Sequence, residues 1–174
     1  MTPGARYTNV MFPSIGKTCM NYFELFLSPS ERPFATHELS KLMEGALPIL
    51  ESLFNGSAKN EFGKSYRDIG AIGCGFVTVK LLGSVAKPLE EYVLEGIEID
   101  NPYAIEAAGY LGGVEPETAY ALARALVRHP ASEAGASLVQ SDYAKNEKVL
   151  NILELDSVAH KSLQRIYAYL SRKT

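Results

Sequence analysis

The chain has 174 residues, 47% apolar and 21% charged, with 17 Lys and Arg against 20 Asp and Glu for a formal charge of −3. That balance excludes an intrinsically disordered chain, and the length suits one domain, 1–174, whose core needs no staples. The two cysteines, Cys19 and Cys74, form no CxxC pair, so neither a disulfide framework nor a zinc site is indicated, and unpaired thiols suit a reducing, cytoplasmic compartment.

In chain order, residues 1–18 contain Arg6 and Lys17 but no continuous apolar core, so a secretory signal is not expected. Gly16-Lys17-Thr18 echoes the end of a phosphate-binding loop. The glycine needed five residues before Gly16 is instead Met11, so a turn opening a helix is the expectation. That helix is predicted from Thr18 to Leu27, carrying Met20, Phe23, Leu25, Phe26 and Leu27. Residues 28–35, with Pro29 and Pro33, read as a connection. A second helical pattern follows Thr36, with Leu39, Leu42, Met43, Ala46, Leu47 and Leu50 on one face; Pro48 divides it and Asn55-Gly56 closes it. Residues 1–60 are thereby expected to form an irregular helical cap, and 55–65 reads as a polar loop.

The next segment, 61–87, is ambiguous. Phe76-Val77-Thr78-Val79 has strand propensity, and Gly70, Gly73 and Gly75 weaken a helix. With no second strand evident, the expectation is a buried helix whose glycines allow tight crossing. The apolar run Ile69–Ala86 holds 18 residues and includes Lys80, short of the ~20 that span a bilayer, so no membrane segment is expected.

From residue 88 a period of 14 emerges. Pro88, Pro102, Pro116 and Pro130 recur at that spacing, and proline is favoured at the first position of a helix. Asp100-Asn101 supplies capping oxygens before Pro102, and Gly112-Gly113 supplies a helix stop. With each proline as position one, position six holds Val93, Ala107, Ala121, Gly135, Val149 and Leu163. Position ten holds Ile97, Leu111, Ala125, Val139, Leu153 and Tyr167; position seven holds Leu94, Ala108, Leu122, Ala136 and Leu150, then fails at Gln164. These positions share one helical face, so each unit is predicted to bury the same stripe. Two units make a hairpin of 28 residues, and 88–171 reads as three stacked αα-hairpins.

Residues 102–130, with Ala107-Ala-Gly-Tyr-Leu-Gly112 in the first helix, resemble a HEAT-like repeat, and the likeness extends more loosely over 88–171. The chain has Gly112-Gly113 where such repeats often place Gly-Asp. The resemblance implies an all-α, right-handed α-solenoid used as a binding surface, with no reaction attached. In such stacks the second helices line the concave side, taken here as 88–99, 116–128 and 144–155.

Candidate chemistry is sparse. His37, His129 and His160 are far apart and form no metal-binding spacing; exposed linker or terminal positions are the simple expectation for the first two. Cys74 reads as a small buried hydrophobe, and no nucleophile elbow occurs. No catalytic residue, metal or cofactor is therefore assigned. Charge is more informative: 88–117 holds Glu90, Glu91, Glu95, Glu98, Asp100, Glu106, Glu115 and Glu117 with no Lys or Arg, whereas 145–174 has six basic residues against three acidic. An acidic stripe repels phosphates and suits a basic protein partner, so nucleic acid is not expected. The residues expected to face outward on the concave helices are Tyr92, Glu95, Tyr120, Lys148 and Asn151, flanked by Glu91 and Arg124. Tyrosine and arginine are enriched at interface hot spots, although Tyr92 and Tyr120 could equally cover neighbouring helices.

The functional expectation is a non-catalytic protein-interaction module, of the inhibitor or immunity type, contacting its partner through these residues. The alternative is an enzyme on a HEAT-like scaffold, of the bilin lyase or DNA glycosylase type, though a glycosylase would want a basic groove. A third reading is a regulatory subunit whose Ile69–Ala86 helix is covered by a partner.

Overall fold

The computed structural model describes residues 21–155 and 157–172. The early Gly16-Lys17-Thr18 motif, Cys19 and the predicted first turn from Thr18 lie outside them. Helix α1 (Tyr22–Leu27) starts where Asn21 Oδ1 accepts the Phe23 N–H at 3.2 Å. Helix α2 (Arg32–Ser40) begins four residues before Thr36, because Pro33 occupies its first turn instead of a connection. Thr36 is buried inside that helix, and its hydroxyl donates back to the Arg32 carbonyl at 2.9 Å. A 3₁₀ turn (Met43–Ala46) then leads into α3 (Leu47–Phe54), with Pro48 in its first turn, so Pro48 opens a helix where the chain was expected to divide.

The ambiguous segment resolves as α4 (Ile72–Leu82). The rest of 61–87 is turn and 3₁₀ structure, so the buried helix is shorter than the span assigned to it. Among the described residues there is no strand, only an isolated bridge between Lys59 and Ser65. Tertiary burial overrides the strand propensity of 76–79: Phe76, Thr78 and Val79 are fully buried. Gly75 permits the crossing, since a Cβ there would sit 2.8 Å from Leu53 Cδ2 and 3.0 Å from the Phe54 ring.

Four prolines at one spacing do not all start helices. Pro102 and Pro116 open α6 (Pro102–Ala108) and α7 (Pro116–Arg128). Pro88 lies instead within a 3₁₀ segment (Gly83–Leu89) ahead of α5 (Glu90–Glu98), and Pro130 lies in the turn before α8 (Ala134–Gln140). Helices α9 (Glu147–Leu153) and α10 (Val158–Leu170) complete the chain. The run Ile72–Glu98 is long and apolar enough to cross a membrane by length and composition, with a mean hydropathy of 1.3. Gly83, at φ 60°, breaks it into α4 and its successor, and Phe76, Val79, Leu82, Val93 and Ile97 all point into the core.

The fourteen-residue stripe holds best at positions six and ten, whereas position seven is buried only at Ala108 and Leu122 and half-buried at Leu94, Ala136 and Leu150. Position six is buried in all six units, from Val93 to Leu163. Position ten is buried in four and half-buried at Val139 and Tyr167. Packing follows the same period. Helices α4, α6, α8 and α10 each contact the next in that series, and α5, α7 and α9 do likewise, with α5 against α6 and α7 against α8 joining the two series. Side-chain contacts repeat it: Arg67 with Glu95 and Arg128 with Asp100 are each 28 residues apart, as are Lys148 and the Tyr120 ring it covers.

Candidate functional site

A cleft of about 400 Å³ is bounded by the end of α3, the start of α4 and one side of α5. Tyr92 is the half-exposed aromatic of its wall, backed by the buried Phe54 and Phe76. The Phe54 and Phe76 rings stack at 4.8 Å, and Tyr92 stacks on Phe54 at 5.5 Å. Ile72, Leu94 and the 69% exposed Ile99 add apolar surface. Gly96 lets α5 lie close enough to shape the wall, because a Cβ there would be 2.5 Å from Ala104 Cβ and 2.7 Å from the Phe76 ring.

The rim is charged. Glu91, Glu95 and Glu98 line it, together with Arg67 from the loop before α4. Arg67 donates to the Phe54 carbonyl and, at 3.2 Å, to Glu95 Oε2, so it ties the loop to both α3 and α5. Glu98 is held by Arg124 of α7. Glu91 is exposed and carries no ion pair among the described residues. Partial burial pushes the Tyr92 hydroxyl up from its ordinary pKa, helped by the carboxylates of Glu91, Glu51 and Glu95. It is a neutral hydrogen-bonding group at neutral pH.

The residues expected from the sequence divide into two groups. Glu91, Tyr92 and Glu95 share this cleft, and Arg124 reaches its rim through Glu98. Tyr120 and Lys148 form a second group further along the α5–α7–α9 series, with Lys148 Nζ 4.1 Å from the Tyr120 ring centroid. Asn151 is exposed on α9, one turn beyond Lys148. The two tyrosines are half-buried, so each covers a neighbour while keeping an open edge. Arg67, Phe54 and Ile99 were not anticipated. The signal for Arg67 was available: it precedes Glu95 by 28 residues, the length of two periods.

The acidic run 88–117 is not a bare stripe. Six of its eight carboxylates meet a cation: Glu90 and Glu115 meet Lys87, Glu95 meets Arg67, Glu98 meets Arg124, Asp100 meets Arg128 and Glu106 meets Lys80. Nearly all these partners lie 20 or more residues away along the chain, which is why the run looks unbalanced on paper. Of the histidines, His37 and His129 are exposed as expected, with His129 Nε2 3.5 Å from Asp100, whereas His160 is buried. Cys74 is buried, and desolvation pushes its thiol above the ordinary range. No protein-family model, curated protein or solved structure matches the chain.

Proposed function

We propose that the chain is a short HEAT-like α-solenoid that works as a protein-binding module, with the α5–α7–α9 series as its recognition face. The 28-residue recurrence of contacts supports the repeat reading, with α5 packed on α6, α7 on α8 and α9 on α10. In that arrangement α5, α7 and α9 open successive hairpins and pack in series along one side of the stack, the side we assign to recognition.

A single observation carries the functional reading: an open cleft, with Tyr92 and Ile99 as its accessible apolar surface, whose rim offers the Glu91 carboxylate without an internal cation. Such a site gives an incoming protein side chain apolar contact plus a charge partner, the combination found at interface anchors. A cationic group on the partner is the best electrostatic match, because it alone would complete the rim. Of the eight carboxylates of the acidic run only Glu91, in this cleft, and Glu117, on α7, meet no cation among the described residues.

The test is to replace Glu91, Tyr92, Glu95 and Tyr120 together and compare partner capture by the tagged wild type and variant, with circular dichroism confirming the fold. Capture that depends on the four residues supports the proposed face. Undiminished capture by a folded variant rejects it.

A further inference from the structure

The connection between α3 and α4 builds a small, rigid hairpin. The Asn60 N–H donates to the Lys64 carbonyl at 2.9 Å and the Tyr66 N–H to the Ala58 carbonyl at 3.1 Å. Its tip is a turn closed by the Gly63 N–H on the Asn60 carbonyl at 3.0 Å, with Gly63 at φ 75°. Asn60 Oδ1 accepts from the N–H groups of both Phe62 and Lys64 at 3.0 Å. The base is anchored as well: Tyr66 is buried against Phe23, and the Ala58 N–H reaches the Ser52 carbonyl at 2.8 Å.

All this order displays one side chain. Phe62, at the tip, is 78% exposed, the most exposed aromatic among the described residues. Exposed Lys59 and Lys64 flank it, with Glu61 the one carboxylate on the tip. An aromatic ring held out on a preorganised turn loses little freedom on docking, which is what an interface anchor requires.

The hairpin stands at the edge of the aromatic cleft, since Arg67, just past its base, forms part of the cleft wall. The two features are complementary. The tip offers a phenyl ring between two ammonium groups, and the cleft offers the open edge of Tyr92 with Ile72, Leu94 and Ile99 beside the unpaired Glu91. Phe62 does not fill the cleft of its own chain, as its exposure shows. Two complementary features side by side on one surface are what a two-fold pair needs, because each copy then gives a tip and receives one.

We infer that a second copy of this chain docks its 57–66 hairpin into the cleft, with Phe62 against the open edge of Tyr92 and against Ile72, Leu94 and Ile99, and with Lys59 and Lys64 facing Glu91, reciprocally across a two-fold axis. This rests on reading the cleft as a protein-binding site, and it names the occupant.

Sedimentation equilibrium of the full chain, from low micromolar to several hundred micromolar, tests it. The wild type is expected to dimerise, and Phe62→Ala to weaken the dimer about a hundredfold, roughly tenfold for each of two anchors. Lys59→Glu with Lys64→Glu in one chain, and Glu91→Lys in another, should each self-associate poorly. Mixed together they should pair, because the acidic hairpin then meets the basic cleft while the native hairpin meets the native cleft. A wild type that stays monomeric overturns the inference, as does a dimer indifferent to Phe62→Ala or a mixture that fails to pair. Binding of a monomeric chain to phosphatidylserine vesicles through Phe62 overturns it too, in favour of a lipid surface. A monomeric wild type leaves the broader reading of the cleft standing. That reading is judged by whether the four-residue replacement, made in the Phe62→Ala background, loses partner capture.

Discussion

Gly96 sits where three helices converge, and its missing side chain is what lets them. A Cβ would press on Ala104 of α6 and Phe76 of α4, both buried and neither able to swing away. Gly96→Ala should therefore destabilise the fold by about 1–3 kcal/mol through overpacking, outweighing any gain in helix propensity, and urea denaturation will read it. Asp142 presents the opposite case. It holds a left-handed conformation, φ 63°, at the end of α8, where the Asp142 N–H meets the Val139 carbonyl and the Tyr143 N–H the Leu138 carbonyl. This is a helix stop that glycine makes without steric penalty, so Asp142→Gly should stabilise by about 0.5–1 kcal/mol. A fall in the urea midpoint would contradict that. Asp100 repeats the geometry at φ 58° but has a second task, since Arg128 binds its carboxylate at 2.7 Å and holds its pKa below the ordinary range. Because the folded value is the lower one, the stability from this pair is present above the ordinary carboxylate range and is lost as pH falls through the depressed value. Arg128→Gln should raise the Asp100 titration in an NMR pH series and lessen the loss of stability on the acid side. None of these stops was legible beforehand, because a left-handed aspartate leaves no mark in a search for glycine.

At the level of the element, the Asn101 cap was legible in the sequence, while the equivalent cap at Asn146 carried no proline to mark it. Asn101 Oδ1 accepts the Tyr103 and Ala104 N–H groups at 3.0 and 3.3 Å, and Asn146 does the same for Lys148 and Val149. Asn101→Ala should cost about 1 kcal/mol in thermal or urea unfolding, and a neutral outcome would mean that α6 starts without it. The prolines were read less well because proline is equally at home in a 3₁₀ segment or a turn. Pro130 anchors a loop, its carbonyl accepting from Ser162 Oγ at 2.7 Å, and α8 opens four residues later. Helix α2 starts before its apolar pattern does for a related reason: Pro33 reads as linker but sits in the first turn. The helix over 72–82 was recoverable only by weighing its glycines as contacts and not as breaks.

Across the whole molecule, the periodic stripe was legible and the electrostatics was not. Burial depends on a residue's own helix face, which a period exposes, so position six is interior from Val93 to Leu163. Ion pairing depends on which helices are neighbours, and only the fold brings Glu95 to Arg67 or Glu98 to Arg124. For the same reason the sequence pointed to Glu91, Tyr92 and Glu95 as surface residues without revealing the cleft they share, whose other walls come from α3, α4 and the loop between them. If the hairpin of 28 residues is the repeating unit, a chain lengthened by one such unit should still fold. The direct measurement is to insert a second copy of residues 116–143 after Tyr143 and follow circular dichroism and urea unfolding, beside a control carrying only 116–129. The repeat arrangement predicts a soluble chain with undiminished helicity per residue and equal or greater stability for the full unit, and disruption for the half unit, which would exchange the two helix series. A full-unit insertion that unfolds or aggregates, or a half-unit insertion that is accepted equally well, would contradict it.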